Sequence, residues 1–384
     1  MCDVVVTGAA SGYLDWASTA PLHPVARQTL LEAIDAGWAD PARRYGVARR
    51  ARAALEAARE QVAVLIGARA DEVGFPASGT QAAHLAVLGT ARARRRAGRD
   101  IVVSAVEHSC VLQAAARAAS SAGRVIDVPV DRLGRVDVAA FGRAMGAPDV
   151  AVAALQHANH EVGTLQPVFE VAGSCRGAGV PLIVDAAQTL GRLDPPLGWD
   201  LLTGSAHKWG GPAGVGLLAI RTGTRWKSPL PEDDRGLVPG FENVPAILAA
   251  AAALAACEQE RRAEAPRLTD LVERLRRELP RLVTDIDLVG DPDPAGRAPH
   301  LLTFSVLYIA GEALLAELDR AGLAVSSGSS CTSSALEPSH VLVAMGALTH
   351  GNVRVSLGRD SSDADVEALL RALPPAVGRL RAGR

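Results

Sequence analysis

A carboxylate and a lysine lie close in sequence within residues 181–216, the part of the chain richest in potentially reactive side chains. An apolar run ends in Asp185, and Lys208 follows in a turn rich in serine, histidine and glycine. Lysine is scarce in this chain, because Lys208 and Lys227 are the only two among 40 basic residues. If the chemistry needs an amine nucleophile, one of these two lysines must supply it.

The pairing of Asp185 with Lys208 suits pyridoxal phosphate. A lysine forms a Schiff base with this cofactor, and a carboxylate keeps its ring nitrogen protonated so that the ring can accept electrons. The carboxyl end of a strand is also where open α/β sheets bind ligands. Taken alone, Asp185 would more often be a helix cap or a surface acid, but the nearly unique lysine beside it favours the cofactor.

Two further stretches offer what such a cofactor needs around it. Ser78, Gly79 and Thr80 precede an apolar pattern with helical spacing, and the free N–H groups at a helix start bind anions such as phosphate. The same residues fit an ordinary helix N-cap equally well. His108 follows a strand candidate, where its imidazole could stack on the cofactor ring, although a single histidine there is more often structural.

The composition indicates an ordinary globular protein. The 384 residues are enough for about two domains, and the net charge of −2 gives no bulk reason to expect nucleic acid. The longest apolar run, residues 246–257, is shorter than the roughly 20 residues that span a membrane. With no signal sequence at the start, we expect a soluble, cytoplasmic protein. The five cysteines lack paired spacing, so we expect neither a disulfide framework nor a metal site.

Apolar runs alternate with helical stretches over the first two thirds of the chain. Continuous apolar strands separated by helices predict a parallel sheet covered on both faces. We therefore expect an α/β large domain at residues 15–250 and a smaller α+β domain at residues 251–384, which also takes in residues 1–14. A helix is expected at residues 51–68, where helical periodicity ends at a glycine. The strand candidates are residues 100–108, 124–130, 149–158, 180–188 and 214–220.

Eight short motifs, taken in their order, carry a resemblance to a known family. The chain resembles the group I cysteine desulfurases of the NifS/IscS type, which belong to the class-V aminotransferase family of fold-type I pyridoxal phosphate enzymes. The resemblance covers about residues 13–375 and implies a mostly parallel seven-stranded sheet in the large domain. The motifs are YLDWASTA, SGTQ, VEHSCVL, HANHEVGT, VDAAQTLGRL, SAHKWGGPAGVG, SSGSSCTSSALEPSH and VRVSLGR.

The resemblance implies a role for each residue at the matching positions. Lys208 would form the Schiff base, His108 would stack on the ring and Asp185 would pair with the ring nitrogen. Arg354 would bind the substrate α-carboxylate through the bidentate contact that a guanidinium favours, and Asn159 would also contact the substrate. Gln188 would bond the phenolic oxygen, while Gly79, Thr80, Ser205 and His207 would hold the phosphate; the full cofactor-binding set is Gly79, Thr80, His108, His160, Asp185, Gln188, Ser205, His207 and Lys208.

A single cysteine, Cys331, lies in the serine-rich stretch at residues 326–340. In the family, the residues at the positions of Cys331, Lys208 and His108 are catalytic. The cysteine thiolate attacks the sulfur of L-cysteine, which gives L-alanine and an enzyme persulfide. Serine and glycine around it would supply the flexible tether that reaching both the cofactor and an acceptor requires. The acceptor would be an iron–sulfur scaffold, a thiolation enzyme or a sulfur carrier.

Three positions depart from the family pattern. Counting 25 residues back from Asp185, the position of the asparagine that bonds the phenolic oxygen in the family, reaches His160 and not Asn159. Either His160 could donate this bond instead, or Asn159 could be reoriented. A threonine that reaches the phosphate of the partner subunit is replaced by Phe241, although we still expect a homodimer because active sites of this fold form between subunits. Trp16 replaces a small or polar residue and is expected to narrow the substrate pocket.

Two other functions stay open at this point. The chain could be a selenocysteine lyase or another class-V pyridoxal phosphate β-lyase or epimerase, although those chemistries need no mobile thiol such as Cys331. It could also be a cofactor-binding scaffold that docks partners in a sulfur-transfer complex and has lost turnover through His160 and Phe241. We expect neither a membrane nor a nucleic acid among its partners.

Overall fold

The computed structural model describes residues 11–36, 38–119, 123–230, 237–238, 240–328 and 338–382. Over these residues, a seven-stranded sheet in the order β1-β7-β6-β5-β4-β2-β3 forms the centre of the large domain. Neighbouring strands are parallel except at β7, which runs antiparallel to β6 and β1. The strands are β1 (Val73–Gly74), β2 (Asp100–Ser104), β3 (Val125–Val128), β4 (Val150–Gln156), β5 (Leu182–Asp185), β6 (Leu201–Ser205) and β7 (Gly216–Ile220).

The sheet confirms the predicted fold class and all five strand candidates. The central strands β2, β4, β6 and β7 are buried along their whole length, as expected for strands with helices on both faces. Two strands were not predicted from the sequence. Strand β1 has only two residues, and β6 ends in Thr203, Gly204 and Ser205, so neither presents the continuous apolar run by which the others were recognised.

Helices cover both faces of this sheet. Along β2, Val102 packs into one apolar cluster while Ile101 and Val103 pack into another, because successive side chains of a strand point to opposite faces. Among the described helices, none combines the length and the apolar composition that crossing a membrane requires. The helices of this part are α1 (Pro24–Ala36), α2 (Gly46–Ile66), α3 (Gly79–Arg94), α4 (Ser109–Ala119), α5 (Val138–Met145) and α6 (Val168–Ala178).

Two helix predictions can be compared directly with the structure. Helix α2 begins five residues before the predicted residue 51 and ends where a glycine stop was expected, since Gly67 caps it in the left-handed conformation. Helix α3 begins at Gly79 as predicted, and the Ser78 side chain accepts a hydrogen bond from the Gln81 amide at 3.0 Å. The stop signal of α2 and the start signal of α3 were therefore correct.

The long helix α7 (Val244–Leu282) belongs to both domains. Its first part, up to Leu254, packs into a large-domain cluster, and Leu268 to Leu279 pack into the small-domain cluster. The expected boundary between residues 250 and 251 thus falls inside one continuous helix. Leu14 from the N-terminal segment also packs into the small-domain cluster.

The small domain is built on an antiparallel sheet in the order β10-β9-β8. The N-terminal segment lies beside this sheet, because Asp15 forms a parallel bridge with Ser356 of β10. The remaining elements are β8 (Ile286–Val289), β9 (Leu301–Val306), α8 (Gly311–Arg320), α9 (His340–Met345), β10 (Asn352–Ser356) and α10 (Asp363–Ala382).

Two glycines let the start of α3 lie directly on the ends of β6 and β7. The Gly216 amide donates to the Pro76 carbonyl at 2.6 Å, and a Cβ on Gly216 would lie 2.3 Å from the Ser78 carbonyl oxygen. A Cβ on Gly79 would lie 2.7 Å from that of Ser205. Because the Ser78 backbone and the Ser205 Cβ lie this close, a side chain at either glycine would push the helix start away from the strand ends.

We predict that Gly216→Ala destabilises the fold by about 1–3 kcal/mol, the usual cost of one extra carbon atom in a closely packed site. The measurement is the free energy of unfolding from urea titration. Gly173→Ala in α6 is the matched control, since no atom lies within 4 Å of the added Cβ. That control should gain up to about 1 kcal/mol from helix propensity, and equal effects of the two substitutions would contradict the packing argument.

Candidate active site

A cavity of about 230 Å³ opens at the carboxyl ends of the parallel strands. It contains both members of the pair with which the sequence analysis began, Asp185 at the end of β5 and Lys208 in the turn after β6. The structure therefore brings together groups that are far apart in the chain. The expected site residues that line this cavity are Gly79, Thr80, His108, His160, Asp185, Ser205, His207, Lys208 and Arg354.

Three expected site residues are not among those lining the cavity. Asn159 is fully buried, and its amide bonds the backbone: Nδ2 donates to the Val106 carbonyl at 3.1 Å, and Oδ1 accepts from two amides at 2.9 Å. Gln188 donates to the Ala17 carbonyl at 3.0 Å, while its Oε1 is buried without a partner among the described residues. Cys331 lies outside the described residues.

The turn that carries Lys208 is fixed by a half-buried arginine. Arg192 donates through Nη2 to the Lys208 carbonyl at 2.5 Å and to the Trp16 carbonyl at 3.3 Å. Burial lowers the pKa of Arg192 to about 10, so the guanidinium stays charged at neutral pH. Sequence reasoning did not identify Arg192, because nothing in its local pattern distinguishes it from the many other arginines of the chain.

A second carboxyl group lies behind Asp185. Asp185 itself accepts a hydrogen bond from the Ala187 amide at 2.9 Å. Glu107 is fully buried and accepts from the Gln156 amide at 2.8 Å, while its Oε2 has no partner among the described residues. Burial, with a contribution from Asp185, raises the pKa of Glu107 to about 8. Glu107 therefore adds little negative charge to this wall of the cavity at neutral pH.

Three histidine rings lie close together beside the cavity. The ring centroids of His108 and His160 are 4.9 Å apart and those of His160 and His340 are 6.4 Å apart. Burial, followed by the charges of His160 and Lys208, lowers the pKa of His108 to about 2. The Cys110 amide donates to His108 Nδ1 at 3.2 Å, so the neutral ring carries its proton on Nε2.

Arg354 brings the small domain into the site. Its side chain is 2% exposed; Nη1 donates to the His160 carbonyl at 2.8 Å, and Nη2 donates to Asp15 Oδ1 at 2.9 Å and to Ser18 Oγ at 2.6 Å. Its Nε is buried without a partner among the described residues. The Nε–H and the second N–H of Nη1 are therefore left for a ligand, while Asp15 and Ser18, which sequence reasoning missed, fix the guanidinium.

The three departures from the family pattern have distinct positions in the structure. His160 lines the cavity, as counting along the sequence indicated. Trp16 lines a neighbouring cavity that shares Lys208 with the first, and its ring would lie 2.0 Å from a Cβ on Gly358. The indole thus fills the space beside a glycine of the small domain. Phe241 is 62% exposed.

Comparisons with known proteins agree with this geometry. The chain matches the family Aminotransferase class-V over residues 12–369. Cysteine desulfurase IscS from Dictyoglomus turgidum is 35% identical over 377 residues, which cover 96% of this chain and 95% of that protein. Cysteine desulfurase IscS 1 from Archaeoglobus fulgidus is 34% identical over 377 residues, with coverage of 96% and 97%. Among solved structures, a NifS-like protein matches with a TM-score of 0.88 and 27% identity, covering 97% of this chain and 100% of that chain. The chain therefore belongs to the class-V aminotransferase family, among the cysteine desulfurases of the NifS/IscS type.

Proposed function

We propose that this protein uses pyridoxal phosphate to convert L-cysteine into L-alanine and leaves the sulfur as a persulfide on Cys331. The observation that carries the proposal is the convergence of Lys208, Asp185, His108 and Arg354 on one cavity. These side chains come from four different parts of the chain. Three of them, Lys208, Asp185 and Arg354, are of the types that carry charge. A site of this kind supplies an amine nucleophile, a carboxylate, a neutral imidazole and a donor for the substrate carboxylate.

The residues of the cavity fit pyridoxal phosphate. The N-terminus of α3 at Gly79 and Thr80, beside Ser205 and His207, offers N–H and hydroxyl donors to a phosphate. Gly79 leaves no room for a side chain, so the backbone itself faces the anion. His160 Nδ1 is a buried polar atom without a partner among the described residues, as expected of a group whose partner is a ligand.

Each of these residues has a definite task when the cofactor is bound. Pyridoxal phosphate would supply an electron sink that takes up the electron pair of the broken carbon–sulfur bond. Lys208 would hold it covalently, and Asp185 would hold the proton on its ring nitrogen. His108, whose pKa burial lowers to about 2, would be neutral and would donate a hydrogen bond from Nε2.

The substrate would be oriented by its α-carboxylate. Arg354 Nε has no partner among the described residues, and Asp15 and Ser18 hold the guanidinium through Nη2. Asp15 already balances the charge of Arg354. The site therefore selects a substrate carboxylate mainly by the directional hydrogen bonds that it forms, and less by its negative charge. Asn159, which we expected to contact substrate, would act instead by holding the turn that presents His160.

Sulfur transfer would proceed by attack of the Cys331 thiolate on the sulfur of the substrate. A sulfur–sulfur bond forms as the carbon–sulfur bond breaks, which yields L-alanine after protonation and a persulfide on Cys331. We further propose that the persulfide is delivered to an acceptor protein, that the protein works in the cytoplasm and that it is a homodimer.

The activity is tested by incubating the purified holoenzyme with L-cysteine and a thiol reductant. We expect L-alanine and sulfide in equal amounts. Cys331→Ser should keep the absorbance of the bound cofactor and lose sulfide production, with Cys175→Ser as a control at a buried thiol far from the chemistry. If Cys331→Ser retains full activity, the chain is instead a β-lyase that needs no mobile thiol; a yellow wild-type protein that makes neither product would indicate a scaffold.

The assignment of Lys208 is tested against the other lysine of the chain. Borohydride treatment of the holoenzyme should fix the cofactor on a peptide containing Lys208. Lys208→Ala should abolish this labelling, whereas Lys227→Ala, at an exposed position, should leave it unchanged. Peptide mapping by mass spectrometry reads the result, and labelling on Lys227 would contradict the site.

The assignment of Arg354 predicts a selective effect on KM. Arg354→Lys keeps the charge beside Asp15 but loses the planar fork, so KM for L-cysteine should rise about 10–100-fold with a smaller change in kcat. Cysteamine, which lacks the carboxylate, should inhibit the variant and the wild type with the same constant. A KM increase accompanied by an equal loss of cysteamine binding would show general damage to the pocket and contradict the assignment.

A further inference from the structure

A buried carboxylate outside the cavity has no role in the mechanism described above. Glu161 follows His160 in the chain and is 2% exposed. Burial alone would raise the pKa of Glu161, but its contacts with His160 and Ser339 outweigh burial and leave the pKa below its usual value. The side chain is therefore a charged carboxylate in the interior, a state that persists only when specific partners compensate it.

The backbone of Glu161 is held on both sides. Its amide donates to Asn159 Oδ1 at 2.9 Å, and its carbonyl accepts from Thr303 Oγ1 of β9 at 2.6 Å. One contact comes from the large domain and the other from the small domain. The carboxylate thus projects from a fixed point between the two domains.

The carboxylate meets the chain on both sides of residues 329–337, the stretch that includes Cys331. After this stretch, Ser339 donates through Oγ to Glu161 Oε2 at 2.6 Å and also accepts from the Leu342 amide as the N-cap of α9. Before it, Gly328 packs on the same group, since a Cβ there would lie 3.1 Å from Glu161 Oε2. Glu161 Oε2 therefore bonds the following flank and lies beside the preceding one.

The same carboxylate is connected to the wall of the cavity. Glu161 Oε1 lies 3.6 Å from His160 Nε2, and the His160 ring lines the cavity. On the preceding flank, Ser326 pairs through its backbone with Arg354 in both directions, at 3.2 and 2.6 Å. On the following flank, His340 Nε2 lies 2.9 Å from the Glu107 carbonyl oxygen. Both flanks are thus tied to groups that face the cavity or lie directly behind it.

We propose that Glu161 is a positioning residue for sulfur transfer: its carboxylate fixes the two flanks of residues 329–337 and holds them in register with His160 at the cavity wall. The inference builds on the proposed function. Glu161 touches neither cofactor nor substrate in this account. Its removal should slow the transfer of sulfur to Cys331 without weakening the binding of L-cysteine.

The test compares variants on both sides of the Glu161–Ser339 hydrogen bond. Glu161→Gln keeps the size and one acceptor but removes the charge, and Ser339→Ala removes the donor. In single turnovers followed by mass spectrometry, both should form the Cys331 persulfide about tenfold more slowly, as expected for loss of one hydrogen bond to a charged group. Cofactor absorbance and the concentration of L-cysteine giving half-maximal rate should stay as in the wild type.

Two further variants separate positioning from ordinary stability. Ser339→Thr keeps the hydroxyl and should restore the wild-type rate. Asp137 is the N-cap of α5, and its side chain accepts from the Ala140 amide at 2.9 Å. Asp137→Ala removes a helix cap comparable to that of Ser339 and should leave persulfide formation unchanged. The double variant Glu161→Gln/Ser339→Ala should be slowed by less than the product of the two single effects, because both substitutions weaken the Glu161–Ser339 contact.

Hydrogen exchange of the flanks provides a readout that does not need turnover. Amides at residues 326–328 and 340–343 should exchange about tenfold faster in Glu161→Gln and Ser339→Ala than in the wild type or Asp137→Ala. If the wild type forms no persulfide, the proposed function fails, and exchange alone decides whether Glu161 fixes the flanks. Wild-type rates of both persulfide formation and exchange in Ser339→Ala would overturn the inference, even if Glu161→Gln failed to fold.

Discussion

A buried guanidinium imposes the constraint on which this active site depends. Arg354 is enclosed between the domains, and an arginine so placed requires compensating partners on every side. It obtains them from Asp15 and Ser18 of the N-terminal segment and from the His160 carbonyl of the large domain. Removing one partner of such a buried pair commonly costs about 3–5 kcal/mol. The contacts that position the small domain against the large one are therefore the same contacts that position Arg354, the arginine proposed to bind substrate.

Burial also determines the charge of other groups in and around the cavity. Burial keeps His108 neutral and lets Glu107 hold its proton to about pH 8, while Arg192 remains charged and fixes the carbonyl of Lys208. The side of the cavity proposed to hold the phosphate is shaped by Gly79, against which the end of β6 packs. Charged groups thus occupy a few fixed positions in the protein interior, where electrostatic interactions are stronger than in water, as preorganised sites require.

The fold and most of the groups lining the cavity could be predicted from the sequence, because both produce recognisable local sequence patterns. Apolar strands, a helix start at Ser78 and a rare lysine are readable from neighbouring residues alone. Asp15 was not predicted as the partner of Arg354, since the two are 339 positions apart and only the folded chain brings them together. Glu107 and Arg192 were missed for the same reason: their importance lies in their burial and in the backbone groups they contact.

Single-residue assignments were harder than whole motifs. His160 and Asn159 are neighbours in one motif, yet one ring faces the cavity and the other side chain holds the turn. Trp16, expected to narrow the substrate pocket, fills the space beside Gly358 in the neighbouring cavity. In each case the direction of a side chain depends on backbone geometry that a linear pattern does not record.

The central claim is that one cavity breaks the carbon–sulfur bond of L-cysteine while Cys331 receives the sulfur. The most direct test is a single turnover of the wild-type holoenzyme with L-cysteine in the absence of reductant, followed by amino-acid analysis and peptide mapping by mass spectrometry. The account predicts L-alanine in an amount equal to the sulfur bound, with all added sulfur on the peptide containing Cys331. Sulfur on the peptide of Cys110 or Cys257, or L-alanine formed with no sulfur retained on the protein, would contradict it.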